Sequence, residues 1–240
     1  MSMLRSALAA SALSFLTAGS VAAQAITAPA QPAVAAPYDI VRTEIVSNGT
    51  DVSFKVQVRG KAGELKPKVT GQFAGSAVYS YVWPTSLDSA TVGFESAQGI
   101  LALAVTFHPD FDDGAAGAVN RHVWHPHWVV LTKDPACGPA ALKVKDIPEG
   151  AKPKLPATWP GVPLLIDSPT YPTTLATDTV EVKVPVSVIG ATEGVKFDGV
   201  TAALKVNANL HAPLLCVSDV FDVASGDLSL PGKVTSVHAH

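Results

Sequence analysis

Residues 46–59 read VSNGTDVSFKVQVR. Asn48-Gly49 is the dipeptide that a tight two-residue turn favours, because both central positions of such a turn need positive φ. After it Val52, Phe54, Val56 and Val58 alternate with Ser53, Lys55, Gln57 and Arg59. Successive strand side chains point to opposite faces, so this period of two predicts a β-hairpin with one buried face.

The same pattern spreads outward. Strands are expected over 78–82, 91–94, 100–107, 123–131 and 142–144. Val180, Val182, Val184, Val186 and Val188 form another alternating row, with Pro185 pointing to an edge or a bulge. Residues 196–210 and 214–223 complete the set. No window of a dozen residues keeps helical apolar spacing with caps. Short strands punctuated by Gly and Pro predict an all-β fold, an antiparallel β-sandwich of Ig/DOMON-like or related kind. Residues 148–172 carry seven prolines yet also Trp159, Leu164, Leu165, Ile166 and Tyr171. Too apolar for a solvated linker, they are expected to form a long ordered Pro-rich loop over the sandwich.

The N-terminus has the three regions of a signal peptide: Arg5, an apolar stretch from Ala7 to Leu16, and small residues ending Ala23-Gln24-Ala25. Residues 1–25 are expected to be cleaved, with cleavage after Ala23 the second choice, and the mature protein to be periplasmic or secreted. Ser11, Thr17 and Ser20 interrupt the run, which falls short of the ~20 apolar residues of a membrane span. An Ala/Pro-rich flexible leader is expected over 26–37 and one domain over 38–240.

The chain has 17 basic residues, of which Arg5 lies in the signal segment, against 20 acidic ones, for a net charge of −3. A mildly acidic chain without a basic run lacks the footprint of a nucleic-acid binder. Nor does it contain a basic amphipathic helix for a membrane surface, and no integral membrane segment is expected in the mature protein. The two cysteines, Cys137 and Cys216, fit one disulfide in an oxidising compartment.

The chemistry concentrates in residues 120–128, NRHVWHPHW, which hold three of the seven histidines and two of the four tryptophans. In an extended chain His125 and His127 share a face, and Pro126 biases His125 toward that geometry. The pair predicts a metal site, with Trp124 and Trp128 as an aromatic wall. His122 has the opposite parity and is a further candidate. His211 shares a polar face with Asn207 and Asn209, and a Cys137–Cys216 bridge would draw it toward His125 and His127. His108-Pro109-Asp110 has the spacing of half a facial triad, but with no matching oxygenase scaffold it is read as an ordinary strand-end turn. Asp110, Asp112, Asp113 and Gly114 suggest a calcium loop, but Arg121 stands where an EF-hand needs a bidentate Glu. Carbonic-anhydrase and cupin spacings fail beyond His127, and no Gly-x-Ser-x-Gly or His-Glu-x-x-His occurs.

An exported β-rich domain with sparse histidines beside tryptophan resembles the copper-repressible surface copper-binding proteins of methanotrophs (the MopE/CorA type). The likeness covers residues 122–128, the export signal and the fold class. It implies copper held by two imidazoles and an oxidised tryptophan; here Pro126, not His, stands two residues after Trp124. The expected function is metal scavenging, storage or delivery, with copper first and zinc second. A ligand- or carbohydrate-binding module with Trp124, Trp128 and Trp159 as a stacking platform is the alternative, and a metal-dependent periplasmic enzyme the third.

Overall fold

The computed structural model describes residues 24–138, 142–209 and 213–236. Its strands are β1 (Ile26–Thr27), β2 (Ile40–Ser47), β3 (Asp51–Val58), β4 (Ala77–Pro84), β5 (Ile100–Phe107), β6 (His125–Lys133), β7 (Leu142–Val144) and β8 (Ile166–Asp167). They continue as β9 (Thr173–Ala176), β10 (Thr179–Pro185), β11 (Lys196–Phe197), β12 (Val200–Val206), β13 (Leu215–Val223), β14 (Gly232–Lys233) and β15 (Thr235–Ser236). The one α-helix among the described residues, α1 (Val186–Ile189), is a single turn.

The all-β, antiparallel expectation holds, but one layer of the expected sandwich closes on itself. Strands run in the order β5-β4-β12-β13-β7-β6, and β6 pairs again with β5, which makes a six-stranded barrel; β8 adds to β6. Strand alternation alone does not encode closure. It depends on the three-residue β7, which bridges β13 and β6, and on register shifts between β12 and β13 that bend the wall.

A second sheet, β1-β2-β3-β10-β9 with β15 parallel on β2, covers one side of the barrel. Val52, Phe54, Val56 and Val58 are buried as the hairpin pattern predicts, in a core shared with Tyr81, Trp83, Leu103 and Trp128 of the barrel's outer face. Phe54 meets both Trp83 and Trp128 edge-on, and Trp83 Nε1 donates to Thr43 Oγ1 across the layers. A second apolar cluster fills the barrel wall from inside: Val78, Ala104, Val129, Ala202 and Leu204 belong to it. Strand β5 therefore reads as a nearly continuous apolar run because both its faces are buried.

Some expectations move. Residues 91–94 contribute to a 3-10 turn (Ser89–Val92), not a strand, since Asp88 accepts from Ala90 N and caps it. The valine row of β10 stops at Pro185, whose opposite number is Asp51, and α1 takes Val186 and Val188. Residues 26–37, expected as a flexible leader, are partly packed: β1 pairs with β2, Ile26 and Ala28 are buried, and Gln31 N donates to Asp39. Of the expected signal peptide only Gln24 and Ala25 fall within the described residues. The Pro-rich stretch is ordered, with Leu164, Leu165 and Ile166 buried and β8 paired to β6. Cys137 and Cys216 form the expected disulfide. Among the described residues no helix is long and apolar enough to cross a membrane.

Candidate metal centre

Strand β6 alternates between two environments. His127, Val129 and Leu131 line a cavity inside the barrel, while Trp128 and Val130 point to the core under the second sheet. Next to it β5 runs antiparallel, with Thr106 opposite His125 and Ala104 opposite His127. The chain leaving β5 places His108 directly beyond the strand end, and the loop to β6 brings Asp113 back over the same spot. His108, Asp113, His125 and His127 each offer one ligand atom, all within 4.8 Å of one another.

The loop is pinned by its other acids. Asp110 accepts from Thr70 N, Gly71 N and Thr70 Oγ1. Asp112 accepts from the backbone of Asn120 and Arg121 and pairs with the Arg121 guanidinium at 3.3 Å. Asp113 N donates to Asn120 Oδ1, and Asn120 Nδ2 donates to Asp113 Oδ1. The remaining carboxylate valences face the three imidazoles: Oδ1 lies 3.2 Å from His108 Nε2 and 3.1 Å from His125 Nε2, and Oδ2 lies 3.3 Å from His127 Nε2.

The tautomers follow from the other side of each ring. His108 Nδ1 lies 2.9 Å from Phe111 O, His125 Nδ1 lies 2.8 Å from Val123 O, and His127 Nδ1 lies 3.2 Å from Asp167 O. A carbonyl only accepts, so each neutral ring carries its hydrogen on Nδ1 and a bare lone pair on Nε2. Ser168 supports this arrangement: its hydroxyl donates to Asp113 O at 2.7 Å and sits 3.1 Å from His127 Nδ1, whose hydrogen it accepts.

With all three rings neutral, three bare nitrogens face the carboxylate with no hydrogen between them. His108 Nε2 and His125 Nε2 stand 3.0 Å apart. His127 Nε2 is buried without a hydrogen-bond partner. His108 and His127 are each 1% exposed, and Asp113 is 8% exposed. Acceptors crowded this closely in low dielectric repel unless a cation lies among them. Burial pushes the His127 imidazole down to about 4, outweighing the attraction of Asp113, so it is neutral at pH 7. For Asp113, burial opposes ionisation, and what holds its carboxyl well below the usual range is positive charge and hydrogen donation from the imidazole side, from His127, His108 and His125, a part that falls to a cation when the rings are neutral. Neutral imidazoles anchored through Nδ1 and an ionised carboxylate are the state a metal requires.

Of the residues expected from sequence, His125 and His127 enter this cluster. His122 is exposed in the turn before β6. His211 lies outside the described residues. Trp124 packs on Tyr81 and Phe107 with its indole N–H donated to Gly63 O, and Trp128 donates to the Tyr171 hydroxyl in the inter-layer core. Both are taken up by packing away from the imidazoles. Trp159 donates to Leu164 O, so the three indoles share no platform. Sequence reasoning met both remaining ligands and set them aside, His108 as part of a strand-end turn and Asp113 as part of a calcium loop that lacks its Glu. The usable signal was position: both fall in the connection between two adjacent strands, one of which begins with His-Pro-His.

The fold and site define a closed β-barrel carrying a buried three-histidine, one-aspartate donor set in its wall. Compared with family models, with curated proteins and with solved structures, the chain matches none.

Proposed function

We propose that this is an exported metalloprotein that holds one divalent transition metal ion through His108, His125, His127 and Asp113. The observation that carries the reading is the convergence of three Nε2 atoms, each bare because its Nδ1 faces a carbonyl, on an ionised carboxylate. The donor set is nitrogen and oxygen only. Copper(II) has the highest affinity for such a site in the divalent series, and zinc is the second choice. The near-complete burial of His108 and His127 suits a resident ion more than a cargo released to a partner. Export rests on the three-part N-terminus and agrees with the disulfide.

The test is metal analysis of protein secreted in copper- and zinc-supplemented medium, with the metal-free protein titrated in parallel. One ion per chain is expected. His127→Ala and Asp113→Asn should lose it, and His122→Ala should keep it. Equal metal content in all four proteins, or none in the wild type, would overturn the reading.

A further inference from the structure

Three of the four donors, His108, Asp113 and His127, line a cavity of about 380 Å³ inside the barrel, within the ~300–1,000 Å³ range of small-molecule sites. Six-stranded barrels are narrow enough for side chains to fill, and here Ala104 and Ala202 stand on the inner wall where larger residues would close the space. The rest of the lining is largely aliphatic, including Val82, Val129, Leu131 and Val217. Polar groups in the wall are already engaged apart from the metal centre. Ser80 Oγ donates to Ala202 O and Asp112 is held by Asn120 and Arg121, while Thr106 Oγ1 stands 3.5 Å from His125 Nε2, at the edge of the metal centre itself. An occupant therefore finds apolar walls and one polar anchor.

Charge narrows the anchor's choice. Three neutral imidazoles and one carboxylate around a divalent ion leave a single positive charge in a water-poor site, which one anionic group neutralises. The cavity extends to Ile100, Val220 and Leu228, exposed apolar residues that give it an apolar mouth. Leu228 and Leu230, both lining residues, hold φ of 59° and 54°, a region bulky side chains rarely adopt.

Resting on the metal reading above, we infer that the barrel binds an aliphatic monocarboxylate, with its carboxylate on the metal ion and its hydrocarbon tail along the barrel interior.

The experiment is calorimetric titration of hexanoate, octanoate and decanoate into the copper- or zinc-loaded protein and into the same protein stripped with EDTA. Affinity should rise about fourfold per added methylene until the cavity is filled. Stripping should weaken octanoate roughly a hundredfold or more, because a buried carboxylate without a partner is costly. 1-Octanol, with the same tail and no charge, should bind far more weakly than octanoate. Ala202→Phe should abolish octanoate binding with one ion per chain retained, and Ala202→Leu, a milder filling, should shift the preference to shorter acids. A loaded protein that binds none of the acids overturns this inference and leaves the metal reading standing. Equal binding by loaded and stripped protein, or by both Ala202 variants and wild type, overturns it too. A protein that takes up no metal sinks both.

Discussion

His127 shows how a single side chain can carry both the chemistry and a cost. Its ring is buried, its Nδ1 is spent on Asp167 O and Ser168, and its Nε2 has no hydrogen-bond partner. Burial lowers its pKa from 6.5 to about 4. Between those values the unfolded chain takes up a proton that the folded, metal-free chain refuses. The His127 contribution to the stability of the metal-free protein should therefore be complete above pH 6.5, fall as pH drops toward 4, and level off below, where the depressed carboxylates take over the slope. The full shift corresponds to roughly 3 kcal/mol. Urea midpoints measured in EDTA from pH 8 to pH 4 check this, and His127→Gln should flatten the slope. An unchanged slope in that variant would show that another group is responsible. Ser168 is the quieter partner at this scale, since one hydroxyl ties the Asp113 backbone to the His127 ring.

At the scale of elements, the loop between β5 and β6 is the decisive piece. Its acids divide the labour: Asp110 and Asp112 hold the loop by its backbone amides, and Asp113 is left for the imidazoles. Asp110→Ala removes three hydrogen bonds from Thr70 and Gly71 without touching a ligand. It should weaken metal binding roughly tenfold, as loss of an outer support does, while stoichiometry stays at one; an unchanged dissociation constant would show the loop needs no such pin. The same element explains what was legible in the sequence. The hairpin around Asn48-Gly49 and the strands at 100–107 and 142–144 stand where their periodicity puts them, because one residue in two must be buried, or every residue when both faces are covered. His125 and His127 were legible for the same reason. His108 and Asp113 were not, because a ligand on an irregular loop follows from where the loop folds back, and no period records that. Residues 91–94 misled for a related reason: a local cap at Asp88 outweighed the apolar spacing.

The whole molecule is a barrel with one weak seam. Strand β7 meets β13 at a single register pair, Cys216 with Lys143, and β6 at three. Around that seam lie the Cys137–Cys216 disulfide and Lys143 Nζ, which reaches Asp134 at 2.7 Å and Asp146 at 2.8 Å. Asp146 in turn accepts from Leu214 N just before β13. The bridge spans a sequence separation of 79 residues, so restricting the unfolded chain is worth roughly 4–5 kcal/mol on a loop-entropy basis. A Cys137→Ser, Cys216→Ser double variant should lose about that much in denaturant unfolding. A loss under about 1 kcal/mol would show that β7 and its ion pairs close the barrel unaided.

That seam also divides the closure between two kinds of bond. The three residues of β7 and the Lys143 ion pairs hold the wall by contacts that form and break with folding itself. The Cys137–Cys216 bridge adds a covalent tie at the same point, one governed by the redox state of the surroundings and not by side-chain packing.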